Sequence, residues 1–145
     1  MDKYTPQFDV AINGRVYKVD LDIELKVNTN NLLKELMEQS AKYARFSSMY
    51  EISKVLLARR EHELEKLSAK LDFEIRKNWK YGFKCTESAI KQAILRDKRY
   101  IAFYKKVDVV RLQAGLLYAA KKSFEQRRDM LVQLSANQRQ EETQY

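Results

Sequence analysis

The sequence predicts a mainly α fold: a long antiparallel helical hairpin with a short β-hairpin at its N-terminal end. Three observations predict it. The 145 residues include only 3 Gly and 1 Pro, while 45% are apolar and 33% charged, a mixture suited to long helices with charged outer faces. Apolar residues recur at every seventh position in two separate stretches, which a continuous helical stripe satisfies. One Asn-Gly pair lies between two short runs of alternating apolar and polar residues, the strongest short-range hairpin signal.

The elements follow in order. Phe8, Val10 and Ile12 alternate before Asn13-Gly14, and Val19, Leu21, Ile23, Leu25 and Val27 alternate after it. A type I′ turn needs two positive φ angles, which Asn-Gly accepts. Residues 1–28 are therefore expected to form a hairpin arm. A lone hairpin is marginal in water, so it must pack on helices or pair with another subunit. Asn28-Thr29-Asn30-Asn31 is a capping cluster in which Thr29 or Asn30 caps the next helix. That helix is expected to run to about Arg76. Leu36, Tyr43, Tyr50, Leu57, Leu64 and Leu71 form its seven-residue row, and Ser40, Ser47, Lys54, Glu61 and Ser68 lie between. Small and charged residues at the intermediate positions exclude a leucine zipper and point to packing against a second long helix.

Residues 77–85 break the pattern around Gly82. Thr86 can cap a short helix through Leu95, with Glu87 near its positive N-terminal end. Asp97 then caps or continues a helix to about Arg139, in which Phe103, Val110, Leu117, Phe124 and Leu131 repeat at sevens with Val107, Ala114 and Leu134 between. The expected organisation is one domain, with a helical body over 29–139 and a polar, flexible tail over 140–145.

Charge is uneven along this plan. The whole chain nets +8, yet residues 77–128 hold 14 basic and 4 acidic side chains, a net of +10. A helix face that is merely solvated balances its signs, as residues 29–76 do with 9 basic and 8 acidic. The excess therefore points to a polyanionic partner.

Arg76-Lys77-Asn78-Trp79-Lys80-Tyr81-Gly82-Phe83-Lys84 interleaves cations with aromatic rings. Cations offset phosphates and flat rings stack on unpaired bases, which is how single-stranded nucleic acid is held. The rings could instead plug the end of the helical hairpin; both readings stand at this point. The same sign continues through Lys91, Arg96, Lys98, Arg99 and Lys105, and then through Lys121-Lys122 and Arg127-Arg128, where Lys121 and Arg128 share a face.

Catalytic chemistry finds no support. His62 is the only histidine and lies in the charged stretch Arg60-Glu61-His62-Glu63; Cys85, the only cysteine, has no partner base. No Gly-rich phosphate loop or Cys/His metal spacing occurs, so no enzyme, cofactor or metal is expected. A single cysteine excludes an internal disulfide and fits a reducing cytosol. The opening Met1-Asp2-Lys3-Tyr4 is no apolar signal segment, and no apolar run spans a bilayer.

From about Asp22 to Glu141 the order of features resembles the UvsY-type recombination mediators of T-even-like bacteriophages. Leu67-Ser68-Ala69-Lys70-Leu71-Asp72 is similar to that family's Leu-Lys-Ala-Arg-Leu-Asp motif. Lys84 through Asp97-Lys98 resembles its short helix ending in Ala-Asp-Lys, and Ala119-Ala120-Lys121-Lys122, followed by Met130, its closing Ala-Ile-Lys helix. Ser68 replaces the motif's first cation, leaving Lys70 to carry that charge, and the hairpin of residues 8–27 has no counterpart in the T-even form.

The resemblance implies a ring-like homo-oligomer in the cytoplasm of a bacterial host that binds single-stranded DNA. It further implies that the protein helps a RecA-type recombinase displace single-strand-binding protein. The residues expected to meet DNA are Lys70, Arg76, Lys77, Trp79, Lys80, Tyr81, Lys84, Lys91, Lys98, Arg99 and Lys105. The competing expectation is a phage structural or assembly-chaperone protein, oligomeric and helical, without nucleic acid binding. An anionic-membrane binder is a third, set back by the need of the apolar stripe for the core.

Overall fold

A computed structural model describes residues 7–145; what was expected of the first six residues lies outside the described ones. The order is β1 (Gln7–Ile12), β2 (Arg15–Asp20), a single turn α1 (Leu21–Glu24), a 3-10 turn (Thr29–Asn31), α2 (Leu32–Lys77), α3 (Glu87–Arg96) and α4 (Lys98–Thr143). The fold is mainly α, as expected, with the two-stranded hairpin at the N-terminal end. The chain divides into two compact units. The first takes residues up to Ser53 with Gln113–Tyr145, and the second is Lys54–Leu112. Both long helices contribute a segment to each.

In the first unit, Asn13 (φ 50°) and Gly14 (φ 76°) make the turn, and β1 pairs antiparallel with β2 from Gln7↔Asp20 to Ile12↔Arg15. The second strand ends sooner than its alternation suggested. Asp20 accepts hydrogen bonds from the N–H groups of Asp22 and Ile23 and caps α1, so Leu21 closes the core from a helical turn and Ile23 faces solvent. The capping expectation also shifts: Asn28 caps the 3-10 turn and Asn31 accepts from Lys34 N at 3.3 Å, in place of Thr29 or Asn30.

The core of this unit joins Val10, Ile12, Val19 and Leu21 of the arm to Phe46, Leu117, Ala120 and Phe124. Phe46 stacks on Phe124 with centroids 4.8 Å apart, and the fully buried side chains are each worth about 1.5–3 kcal/mol. The arm thus packs on helices of its own chain. Antiparallel pairing of α2 with α4 is written in polar contacts: Gln39 Nε2 donates to Phe124 O at 2.6 Å, and Gln113 Nε2 to Ser53 Oγ at 2.9 Å. The second inward row of α2 therefore lies three residues beyond the first, at Gln39, Phe46 and Ser53, all buried. Ser40 and Lys54, expected between the row positions, are exposed.

Arg127 corrects another expectation. It belongs to the interior, its side chain only 2% exposed and ion-paired with Glu35. Its guanidinium donates to Gln39 Oε1 at 2.6 Å, Leu25 O at 3.2 Å and Lys26 O at 3.3 Å, so a buried charge has the partners its desolvation demands. Lys121 lies over the Tyr50 ring, Lys122 pairs with Glu125, and Arg128 with Asp129. The cations of this stretch are engaged within the chain. α4 also continues to Thr143, past the expected Arg139, with Thr143 Oγ1 donating to Arg139 O at 2.8 Å.

In the second unit, Leu71 packs on Ile90 and Ile94 of α3, with Leu67, Ile75, Trp79 and Tyr100 around them. Thr86 caps α3 as expected, accepting from Ala89 N at 3.1 Å, a contribution of about 1 kcal/mol. Asp97, in an extended conformation, separates α3 from α4. Among the described residues no helix is long and apolar enough to cross a membrane.

Candidate nucleic-acid interface

Every residue expected to meet DNA falls within the Lys54–Leu112 unit. That unit holds 16 basic and 8 acidic side chains, the chain's entire net +8, and the other unit is neutral.

The connector between α2 and α3 supplies the aromatic part. Trp79 is half-buried, packs against the Leu71–Ile90–Ile94 core, and donates from Nε1 to Phe83 O at 3.0 Å. This hydrogen bond folds the connector back, bringing Tyr81 and Phe83 onto the indole at 4.9 and 5.5 Å between centroids. Tyr81 and Phe83 stack on one another, 23° from parallel, and stay 62% and 60% exposed. The two readings of these rings are thereby divided between them: Trp79 plugs the hydrophobic end, and Tyr81 and Phe83 stand open to solvent.

Beside the rings lies a groove of about 560 Å³, its far wall the α3 face of Ala89, Gln92, Ala93 and Arg96. These positions recur at helical spacing, and two alanines keep that wall low. Gln92 and Arg96 offer hydrogen-bond donors across from the aromatic faces, and Arg96 has no ion pair among the described residues. Asp97 completes the lining, so the groove sets open aromatic faces opposite two hydrogen-bond donors, with one carboxylate at its edge.

The cations separate into two kinds. Arg76 bonds both Asp72 (2.6 Å) and Glu87 (2.7 Å), and Arg99 bonds Asp97 and Glu74, each at 3.0 Å. Hydrogen bonds donated to these carboxylates, Asp72 first for Arg76 and Asp97 first for Arg99, raise both guanidinium pKa values above the ordinary one. Arg99 in turn holds the Asp97 carboxyl below its usual range. The charge of these two arginines is already matched, and they brace the ends of α3. Lys70, Lys77, Lys80, Lys84, Lys91, Lys98 and Lys105 are exposed and form no ion pair among the described residues. Lys80 and Lys84 flank the rings in the connector. Lys70 and Lys77 lie with Lys66 on the face of α2 turned from the core, and Lys98 and Lys105 on an outer face of α4. The lysines thus lie on several faces of the unit, and none of them lines the ring groove.

Two residues were missed from the sequence. Phe73 is 68% exposed on the Lys66–Lys70–Lys77 face, and its phase, two residues beyond the buried Leu71, was the available signal. Arg96, noted only as one of a run of cations, lines the groove. His62 approaches Glu65 at 3.7 Å on the surface, Cys85 is exposed, and the described residues form no metal-binding cluster.

No protein-family model, curated protein or solved structure matches the chain.

Proposed function

We propose that the protein binds single-stranded DNA through its Lys54–Leu112 unit and acts as a recombination mediator of the UvsY type, assisting a RecA-type recombinase against single-strand-binding protein. The observation that carries this reading is the exposed Tyr81–Phe83 stack over the Arg96 groove, among lysines that lack carboxylate partners. Exposed rings are costly to leave in water without use, and unpaired bases supply the faces that cover them. Unpaired lysines release counterions when they meet phosphates. A mediator of this kind needs no catalytic group, because it shifts an assembly equilibrium by preferring one DNA-bound state. Its place of action would be the cytoplasm of a bacterial host.

Exposed Phe73, Val109 and Leu112 support a homo-oligomer, in which further copies cover apolar surface and multiply weak phosphate contacts; a closed ring is the form we propose. The same apolar surface favours the second reading, a phage structural or assembly-chaperone protein that binds no nucleic acid. Fluorescence anisotropy over a salt series, with a mixed-sequence single strand and its duplex, separates the two. Salt-sensitive binding that prefers the single strand is expected, and absent or salt-independent binding overturns the DNA reading. A sedimentation experiment showing a monomer at micromolar concentration removes the ring. Filament assembly by a RecA-type recombinase on strands coated with single-strand-binding protein then tests mediation itself.

A further inference from the structure

The groove beside Tyr81 and Phe83 holds one group for which a phosphate has no use. Asp97 lines it together with Arg96, and the bonds from Arg99 keep the Asp97 carboxylate ionised. An ionised carboxylate is an acceptor only. A phosphate brings it no donor, whereas the rim of a base carries N–H groups that it can accept.

Arg96 and Asp97 are consecutive, at the C-terminal end of α3, and both line the groove. With no ion pair among the described residues, the Arg96 fork is open to two adjacent acceptors. Arg99 donates to Asp97 Oδ1 at 2.8 and 3.1 Å but to Oδ2 only at 3.0 Å, so Oδ2 is the less occupied oxygen. Side by side, the two residues call for two neighbouring acceptors followed by a donor. Guanine presents N7, O6 and then N1–H, which is that order. Cytosine presents O2, N3 and then its N4 amino group. Adenine and thymine alternate acceptor with donor and cannot satisfy fork and carboxylate together. Gln92 has both a donor and an acceptor and serves any base. Guanine also brings two fused rings to the Tyr81–Phe83 stack where cytosine brings one.

We infer that this groove selects guanine in a single strand, with the Arg96 guanidinium on N7 and O6 and Asp97 Oδ2 accepting from N1–H. The inference rests on the single-strand reading above and adds a base preference to it. The probes are twelve-residue thymine strands carrying guanine, 7-deazaguanine, adenine or cytosine at one central position. Guanine should bind about five- to tenfold tighter than adenine, the low end of what one bidentate pair contributes. Adenine offers the same two-ring face, so the difference reads the rim and not the stacking. Cytosine should fall between them. 7-Deazaguanine, which lacks only the N7 acceptor, should lose most of the gain. Arg96→Lys keeps the charge and removes the fork, so it should bring the guanine and adenine strands within about twofold. Its affinity for the all-thymine strand and its thermal midpoint should stay those of the parent. Free guanosine monophosphate lacks the phosphates that reach the outlying lysines and should bind at least about tenfold more weakly than the guanine strand. Equal affinity for guanine and adenine strands, a preference that survives Arg96→Lys, or guanosine monophosphate binding as tightly as the strand would overturn the base choice and leave single-strand binding standing. If no strand binds, both fall together.

Discussion

Replacing Tyr81 and Phe83 together by Ala should separate DNA binding from folding. Both rings are mostly exposed, so their loss removes little core. Trp79 keeps its contacts with Leu71, Ile90 and Ile94, and its bond to the Phe83 carbonyl comes from backbone that the substitution leaves in place. Stacking of one base on an aromatic ring is worth about 1–3 kcal/mol, and these two rings, already stacked on each other, present one continuous platform. The double variant should lose roughly 5- to 150-fold in affinity for a single strand at fixed salt. Its thermal midpoint and the slope of log affinity against log salt should be unchanged, because no cation is lost. Trp79→Ala should behave oppositely. It empties a half-buried site at roughly 2 kcal/mol, about half the cost of a fully buried Trp, lowers the thermal midpoint, and weakens DNA binding only as a consequence. Anisotropy titrations and thermal melts on both variants decide the matter. Parental affinity in the Tyr81/Phe83 variant, or an equal loss for duplex, would refute stacking at this site.

Three further outcomes are expected. Lys80→Ala with Lys84→Ala removes two phosphate contacts and should flatten the single-strand salt slope by about 1.4, with helix content by circular dichroism unchanged. Arg127→Ala leaves Glu35 without its buried partner and should cost roughly 3–5 kcal/mol in denaturant unfolding, against under about 0.5 kcal/mol for its exposed neighbour Arg128→Ala. Asp97, held below the usual carboxyl range by Arg99, contributes stability that is present above its unfolded value of about 3.9 and lost as pH falls through the lower folded one. NMR titration should therefore show the α3–α4 corner loosening below about pH 4, and Asp97→Asn should remove that dependence.

Local chemistry made much of this fold legible. Asn13-Gly14 has one good use, and so does a Thr86 that precedes Glu87 and a run of helix formers. The seven-residue rows mark continuous helices with no Gly or Pro to interrupt them. What stayed hidden were polar residues whose partners lie far away in sequence. Gln39, Ser53, Gln113 and Arg127 each interrupt an apolar pattern, and each looks like surface until its partner, some 60 to 102 residues distant, is seen. Phase suffered for this reason: with Gln39 and Ser53 polar, a step of three to the second inward row could not be told from a step of four. At the proposed site the sign of the charge was legible and its availability was not. Asp72 and Arg76 are four apart on one helix and could have been paired in advance; the Arg76–Glu87 and Arg99–Glu74 pairs depend on how α3 docks.

Availability is what distinguishes lysine from arginine in the Lys54–Leu112 unit. Arg60, Arg76, Arg99 and Arg111 each hold at least one carboxylate, as suits a rigid fork that matches two oxygens at once. The seven expected lysines hold none, and a mobile ammonium on a flexible stem loses less by waiting in water for a phosphate. The arginines thus fix the helical scaffold, while the lysines supply the diffuse positive field. Arg59 and Arg96 depart from that division, neither holding a carboxylate among the described residues, and Arg96 is placed on the α3 wall opposite two open aromatic faces. A planar guanidinium there can take two phosphate oxygens or lie flat against a base, and a lysine does neither as well. If the groove seats a nucleotide, Arg96 sets its orientation and the surrounding lysines only its rate of arrival.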